Sequence, residues 1–214
     1  NWKYDELYGL IHRLQPQCMI GNNHHLDPIP GEDFQMFEQD LPGENKAGLN
    51  YQSASALPLE SCITMNDSWG FRITDRNYKS VQQIIHTLVG AAGRNSNLLL
   101  NVGPMPNGVV QQEFQDTLKA VGAWMQQYGQ SIYGTRGGPV KPQPWVVSTE
   151  NGKTVFIHVL QKPAADLLIP GNYSSVTSFD GKPIAFEQTG NGIRISQQHI
   201  PVLVPVSILV ITKK

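Results

Sequence analysis

Cysteine is nearly absent from this chain: Cys18 and Cys62 are the only 2 among 214 residues. Neither a disulfide framework nor a cysteine-built zinc cluster is available from so few thiols. An excess of charge is missing too, with 16 Lys and Arg against 17 Asp and Glu. No basic run exceeds the Lys213-Lys214 pair, which argues against a nucleic-acid partner. The longest apolar stretch, Val202 to Ile211, is broken by Pro205 and Ser207 and falls far short of the roughly 20 residues of a spanning helix. A membrane partner is therefore not expected. The chain opens on Asn1-Trp2-Lys3 without an initiator Met or a signal peptide, as a piece of something longer would. What is present is 40% hydrophobic residues with 20 Gly and 15 Pro, the composition of a compact, loop-rich protein. The length suits one domain, or more naturally a domain of about 130 to 150 residues with a smaller one.

Helical spacing of Tyr4, Leu7, Leu10, Ile11 and Leu14 predicts an amphipathic helix that Pro16 stops. Cys18-Met19-Ile20 reads as a short buried strand opening onto the polar loop 21–25. Tyr78, Val81, Ile85, Leu88 and Ala92 form the stripe of a second helix, with Asp75 as candidate N-cap and Gly93 as its stop. The apolar strand Asn97–Val102 follows, and then a third helix over 111–128. Helices alternating with short apolar strands predict a parallel sheet buried on both faces. After Tyr133 the helical stripes end. Five apolar strands begin near Trp145, Thr154, Asp166, Ile193 and Val206, parted by turns such as Asn151-Gly152, Asp180-Gly181 and Asn191-Gly192. The fold class expected is α/β plus all-β, with residues 1–138 in the first part and 139–214 in an all-β module.

Carboxylates crowd the loops from Gly31 to Phe71. Phe34, Met36 and Glu38 alternate as a strand would, placing one carboxylate inward at the strand's end. That is a common catalytic position in a barrel. Without further context, Glu32, Asp33, Glu38, Asp40 and Glu44 read first as solvated loop charges. Trp69 is either a sugar-stacking platform or core. His24-His25 with Asp27 nearby contains metal-ligand types, but adjacent histidines rarely address one ion, so no metal is expected.

Several motifs together resemble the α-L-fucosidases of glycoside hydrolase family 29. The most specific is Asn97-Leu98-Leu99-Leu100-Asn101-Val102-Gly103-Pro104-Met105-Pro106-Asn107-Gly108, with Asn107 where that family usually has Asp. Ser68-Trp69-Gly70-Phe71, Leu57–Cys62 and Ile132-Tyr133-Gly134-Thr135 accompany it in matching order. The resemblance implies the C-terminal half of a (β/α)8-like barrel followed by a β-sandwich. It implies a retaining exo-α-L-fucosidase that works without cofactor or metal on fucosylated oligosaccharides or glycoconjugates, in an extracytoplasmic location (periplasmic, secreted or lysosomal). Its nucleophile is an Asp in a Trp-X-Asp-Gly segment. The only Asp-Gly here is Asp180-Gly181 in the β-module, so the nucleophile is expected upstream, on the missing N-terminal part of the same enzyme. The resemblance also makes Glu38 the first candidate for acid/base, with Glu60 and Glu44 in reserve, and sets Trp69 against the fucose ring. Were Asn1 the true terminus, a non-catalytic carbohydrate-binding protein would be the alternative.

Overall fold

In the computed structural model residues 2–214 are described, and they form two compact units. The first runs to Thr64 and takes in Asn95–Asn101; the second comprises Met65–Arg94 and Val102–Lys214.

The first unit holds helix α1 (Tyr4–Leu14) and four strands, β1 (Gly21–Asn22), β2 (Phe34–Glu38), β3 (Leu59–Thr64) and β4 (Ser96–Asn101). They pair in chain order, all parallel, so every C-terminal strand end lies along one edge. Side-chain alternation divides the sheet into two faces. One carries Gln35, Phe37, Ser61 and Ile63, all buried. The other carries Met36, Glu60 and Asn97 in one register row and Glu38, Cys62 and Leu99 in the next. Leu99 on this second face is 42% exposed, so the sheet is not buried on both faces as its apolar strands led us to expect. The first strand also begins later than expected. Cys18 and Met19 are exposed and only Ile20 is buried; the Asp33 carboxylate takes the Ile20 N–H at 2.7 Å.

The second unit contains helices α2 (Val81–Ala92) and α3 (Gln112–Tyr128) and the strands after residue 135. α2 starts at Ser80 rather than at Asp75. Ser80 accepts from Gln83 N–H while the Gln83 side chain accepts from Ser80 N–H, a reciprocal cap worth about 1 kcal/mol. Gly93, at the helix end, has an ordinary right-handed backbone, so it is not there for a left-handed stop. A Cβ at this position would come within 2.1 Å of the Val147 side chain, and close approach is what demands glycine.

Strands β5 (Arg136–Gly137), β6 (Val146–Asn151), β7 (Thr154–Val159), β12 (Ser207–Lys213) and β9 (Tyr173–Ser178) form one antiparallel sheet in the order β5-β6-β7-β12-β9. A second sheet, β10-β11-β8, joins Glu187–Thr189, Gly192–Ile195 and Leu167–Pro170. Val155, Ile157, Val159, Leu167, Ile169, Ile193, Ile195, Leu209 and Ile211 pack into one core. The strand over Tyr173–Ser178 escapes a hydrophobicity reading because four of its six residues are Ser or Thr. β7 is buried throughout beyond its first residue, and on its non-core face His158 meets the Thr149 hydroxyl at 3.0 Å.

Candidate active site

The C-terminal edge of the parallel sheet gathers the side chains of interest in the first unit. Glu38 is the last residue of β2, with its side chain 21% exposed. Its backbone is clamped on both sides by Asn50, which accepts the Glu38 N–H at 3.1 Å and donates to the Glu38 carbonyl at 2.8 Å. Its carboxylate oxygen Oε2 faces the loop after β1. Asn23 donates to it at 3.3 Å, and His25 Nε2 lies 3.7 Å away. The next residue, Gln39, takes a left-handed backbone (φ 59°) and ties β2 to Thr64 at the end of β3. Cys62, beside Glu38 in register, has its thiol pushed up by burial and then by the charges of Glu60 and Glu38.

The adjacent histidines do not share a target. His24 Nε2 is 2.9 Å from Glu32, while His25, turned by its left-handed backbone (φ 63°), faces Glu38. Among the described residues no group of three or more His, Cys, Asp and Glu is arranged to hold a metal.

Of the carboxylates that read as solvated charges, two are the opposite. Glu32 is buried and accepts from Tyr8 Oη (3.0 Å), Asn22 Nδ2 (3.1 Å), His24 Nε2 (2.9 Å) and the Ile29 N–H (2.9 Å). Burial pushes its carboxyl up, but the donors from Ile29, Asn22, Tyr8 and His24 outweigh it and hold the group below the ordinary glutamate range. The same contact, with burial first, raises the Tyr8 phenol to about 12. Asp40, also buried, accepts from the Lys46 and Ala47 N–H groups and from Asn50. Glu32 thus anchors the loop that carries Asn23 and His25, and Asp40 anchors the Asn50 side chain that holds Glu38. Composition cannot reveal such roles, because two of the four donors to Glu32 come from 10 and 24 residues away. Replacing Glu32 by Ala strands those donors in a dry site and should cost on the order of 3 kcal/mol. A fall in the thermal midpoint checks it; a midpoint unchanged within a degree would show the cluster to be dispensable.

The reserves sit elsewhere. Glu60 is the second residue of β3, four residues short of the C-terminal end, roughly 13 Å along the strand. Asn97 holds its carboxylate at 2.8 Å. Glu44 lies in the loop after β2, with Lys46 at 2.7 Å.

In the second unit the segment after β3 is shaped by Asp75. It accepts from the Asp67 N–H (3.1 Å) and the Asn77 N–H (3.2 Å), while Asn77 Nδ2 returns to Asp67. Hydrogen bonding from Ser68, chiefly, holds its carboxyl below the usual range against a smaller opposing effect of burial. Trp69 is 40% exposed, so the core reading does not hold and its ring offers surface to solvent. Gly103 explains part of its own motif. A Cβ there would meet Gly70 at 2.5 Å and the Phe71 nitrogen at 2.7 Å, so only glycine lets the two motifs touch.

Comparison with known proteins agrees with this arrangement. The alpha-L-fucosidase family model matches residues 1–130. Human plasma alpha-L-fucosidase is 29% identical over 168 residues, 72% of this chain and 36% of its own length. Rat tissue alpha-L-fucosidase is 38% identical over 113 residues, 49% of this chain and 22% of its own. Among solved structures, alpha-L-fucosidase isoenzyme 1 from Paenibacillus thiaminolyticus superposes with a TM-score of 0.76 at 30% identity, covering 100% of this chain and 54% of that one. The Thermotoga maritima alpha-fucosidase gives 0.67 at 23%, covering 97% and 48%. The chain therefore spans about a third or less of those curated relatives and about half of those solved structures. Among the described residues no helix is long and apolar enough to cross a membrane. Four parallel strands with their helices, then an antiparallel sandwich, are the later part of a (β/α)8-like barrel and its β-sandwich, and the chain belongs to the alpha-L-fucosidase family.

Proposed function

We propose that this chain is the C-terminal portion of a retaining exo-α-L-fucosidase, with Glu38 as its acid/base. One observation carries the assignment: Glu38 is a partly exposed carboxylate on the C-terminal end of a parallel strand, its backbone clamped and its side chain left to the loop edge. Retaining hydrolysis requires two carboxyl groups about 5 to 5.5 Å apart, a nucleophile and a group that first donates and then removes a proton. Glu38 serves as the second. The nucleophile belongs to the N-terminal part of the same enzyme, and residues 139–214, together with the edge strand β5 just before them, make the appended β-sandwich domain. Trp69, through its exposed ring, stacks on the apolar edge of the fucose. The substrate is a terminal α-linked fucose on an oligosaccharide or glycoconjugate, and the setting is extracytoplasmic, in keeping with the plasma and tissue names of its relatives.

The full-length protein should cleave an aryl α-L-fucoside in preference to other aryl glycosides. Proton NMR should show α-fucose as the first-formed anomer, before mutarotation. Initial release of the β anomer would remove the retaining mechanism, and no cleavage of any fucoside would remove the activity. The 214-residue chain alone, holding one member of the carboxylate pair, should release no nitrophenol above a blank.

A further inference from the structure

We infer that His25 is a positioning residue for the Glu38 carboxyl group, a role that rests on Glu38 acting as the acid/base. The backbone at His25 is left-handed (φ 63°), a conformation that costs free energy for a residue with a Cβ unless its surroundings enforce it. Its neighbour supplies the enforcement. His24 is fastened to the buried Glu32, and the left-handed step sends the following ring the other way, toward Glu38. Without it, both rings would not reach separate carboxylates 6 residues apart in sequence.

The chemistry of the ring agrees with its direction. His25 Nδ1 is buried without a hydrogen-bond partner, whereas Nε2 looks toward Glu38 Oε2 at 3.7 Å. A buried N–H without an acceptor is costly, so the neutral ring carries its hydrogen on Nε2, aimed at the carboxylate. Asn23 Nδ2 addresses the same oxygen from 3.3 Å. Two donors from one loop thus converge on Oε2, and Oε1 is left to exchange the proton with the leaving group and later with water. The 3.7 Å separation is longer than a hydrogen bond, and contacts of this kind tighten when substrate closes the site. His25 itself transfers no proton to the sugar. It fixes the Glu38 rotamer and stabilises the carboxylate formed once the proton has gone.

The test is His25→Asn in the full-length protein. Asn tolerates the left-handed backbone, so the loop keeps its path, but its side chain is too short to reach Glu38. The readout is kcat and KM on aryl α-L-fucosides ranging from phenyl to 2,4-dinitrophenyl. The expected result is a loss of about 10-fold in kcat/KM on the phenyl substrate, which needs protonation, and under 3-fold on the dinitrophenyl substrate, with KM nearly unchanged. His25→Gln, long enough to return a donor to Oε2, should recover part of the phenyl activity. Equal losses on both substrates, a rise in KM alone, or wild-type behaviour of His25→Asn would each overturn the inference. Glu38→Ala measured on the same panel separates the two levels. If Glu38→Ala discriminates between leaving groups and His25→Asn does not, only the positioning role fails. If Glu38→Ala does not discriminate, the acid/base assignment fails and the role of His25 with it.

Discussion

Glu38→Ala in the full-length protein should lose activity on the order of 10²-fold or more on fucosides whose leaving group needs protonation. On the proposed mechanism the substitution removes the proton donor of the first step and the base of the second, and leaves untouched a nucleophile proposed to lie on the N-terminal part. An activated aryl fucoside departs without help, so its first step should be nearly normal and glycosyl-enzyme should accumulate. Azide needs no general base. It should restore turnover by entering the space the carboxylate vacates, giving fucosyl azide with the α configuration of the substrate. Intact-mass detection of the glycosyl-enzyme and chromatography of the azide product are the measurements. The position is also structurally inexpensive, since the Asn50 clamp acts on the Glu38 backbone and survives the change. If Glu38→Ala is close to wild type while Glu60→Ala or Glu44→Ala gives the azide-rescued pattern, the acid/base moves and the family reading stands. If none of the three does, the mechanism proposed for this stretch fails.

The second large effect concerns stability. His158 lies wholly buried in β7, and its Nε2 is 3.0 Å from the Thr149 hydroxyl. That hydroxyl already spends its hydrogen on the Ser131 carbonyl at 2.6 Å, so the histidine must be the donor. Its other nitrogen, Nδ1, is buried without a partner. A second proton on Nδ1 would find no partner, and burial, against a smaller opposing contribution from the Ser131 backbone, drives the group down to about 3. The sign follows from linkage: between about pH 6.5 and pH 3 the unfolded chain binds a proton that the folded chain refuses. The folded state is therefore unpenalised above pH 6.5 and loses stability steadily as pH falls toward 3. By pH 5 the loss attributable to this residue is about 2 kcal/mol, at 1.4 kcal/mol per pH unit. His158→Met keeps an apolar filling and leaves Thr149 bonded to Ser131, so it removes the dependence. Hydrogen exchange of the amides in β7 and β12, corrected for intrinsic rates, should show wild-type protection falling more steeply from pH 7.5 to 5 than in the variant. Parallel pH dependences in the two proteins would mean that the buried ring admits its proton after all.

Much of this protein is legible along the chain, and the reason is locality. The stripe of Phe114, Leu118 and Val121, the apolar run Leu98-Leu99-Leu100 and the Asn151-Gly152 turn each encode their element within a few residues, because helix, strand and turn preferences are properties of neighbouring residues. The family motifs are equally local, and the resemblance they carry makes Glu38 and Trp69 candidates. Three things needed the tertiary structure. One was the fate of each carboxylate: Glu32, Glu38, Asp40 and Glu44 lie within 13 residues of each other, yet two are buried anchors, one pairs with a lysine, and one closes a strand at the loop edge. What separates them is where the donors Tyr8, Asn22 and Asn50 arrive, which depends on the path of the chain between. Another was the N-terminus of α2, where Asp75 and Ser80 are both acceptable caps and only the closed reciprocal pair with Gln83 decides between them. The last was direction. Two consecutive histidines are identical as letters, and a single left-handed backbone step sends one to a structural carboxylate and the other to the carboxylate at the strand end, a choice made by the packing of the loop.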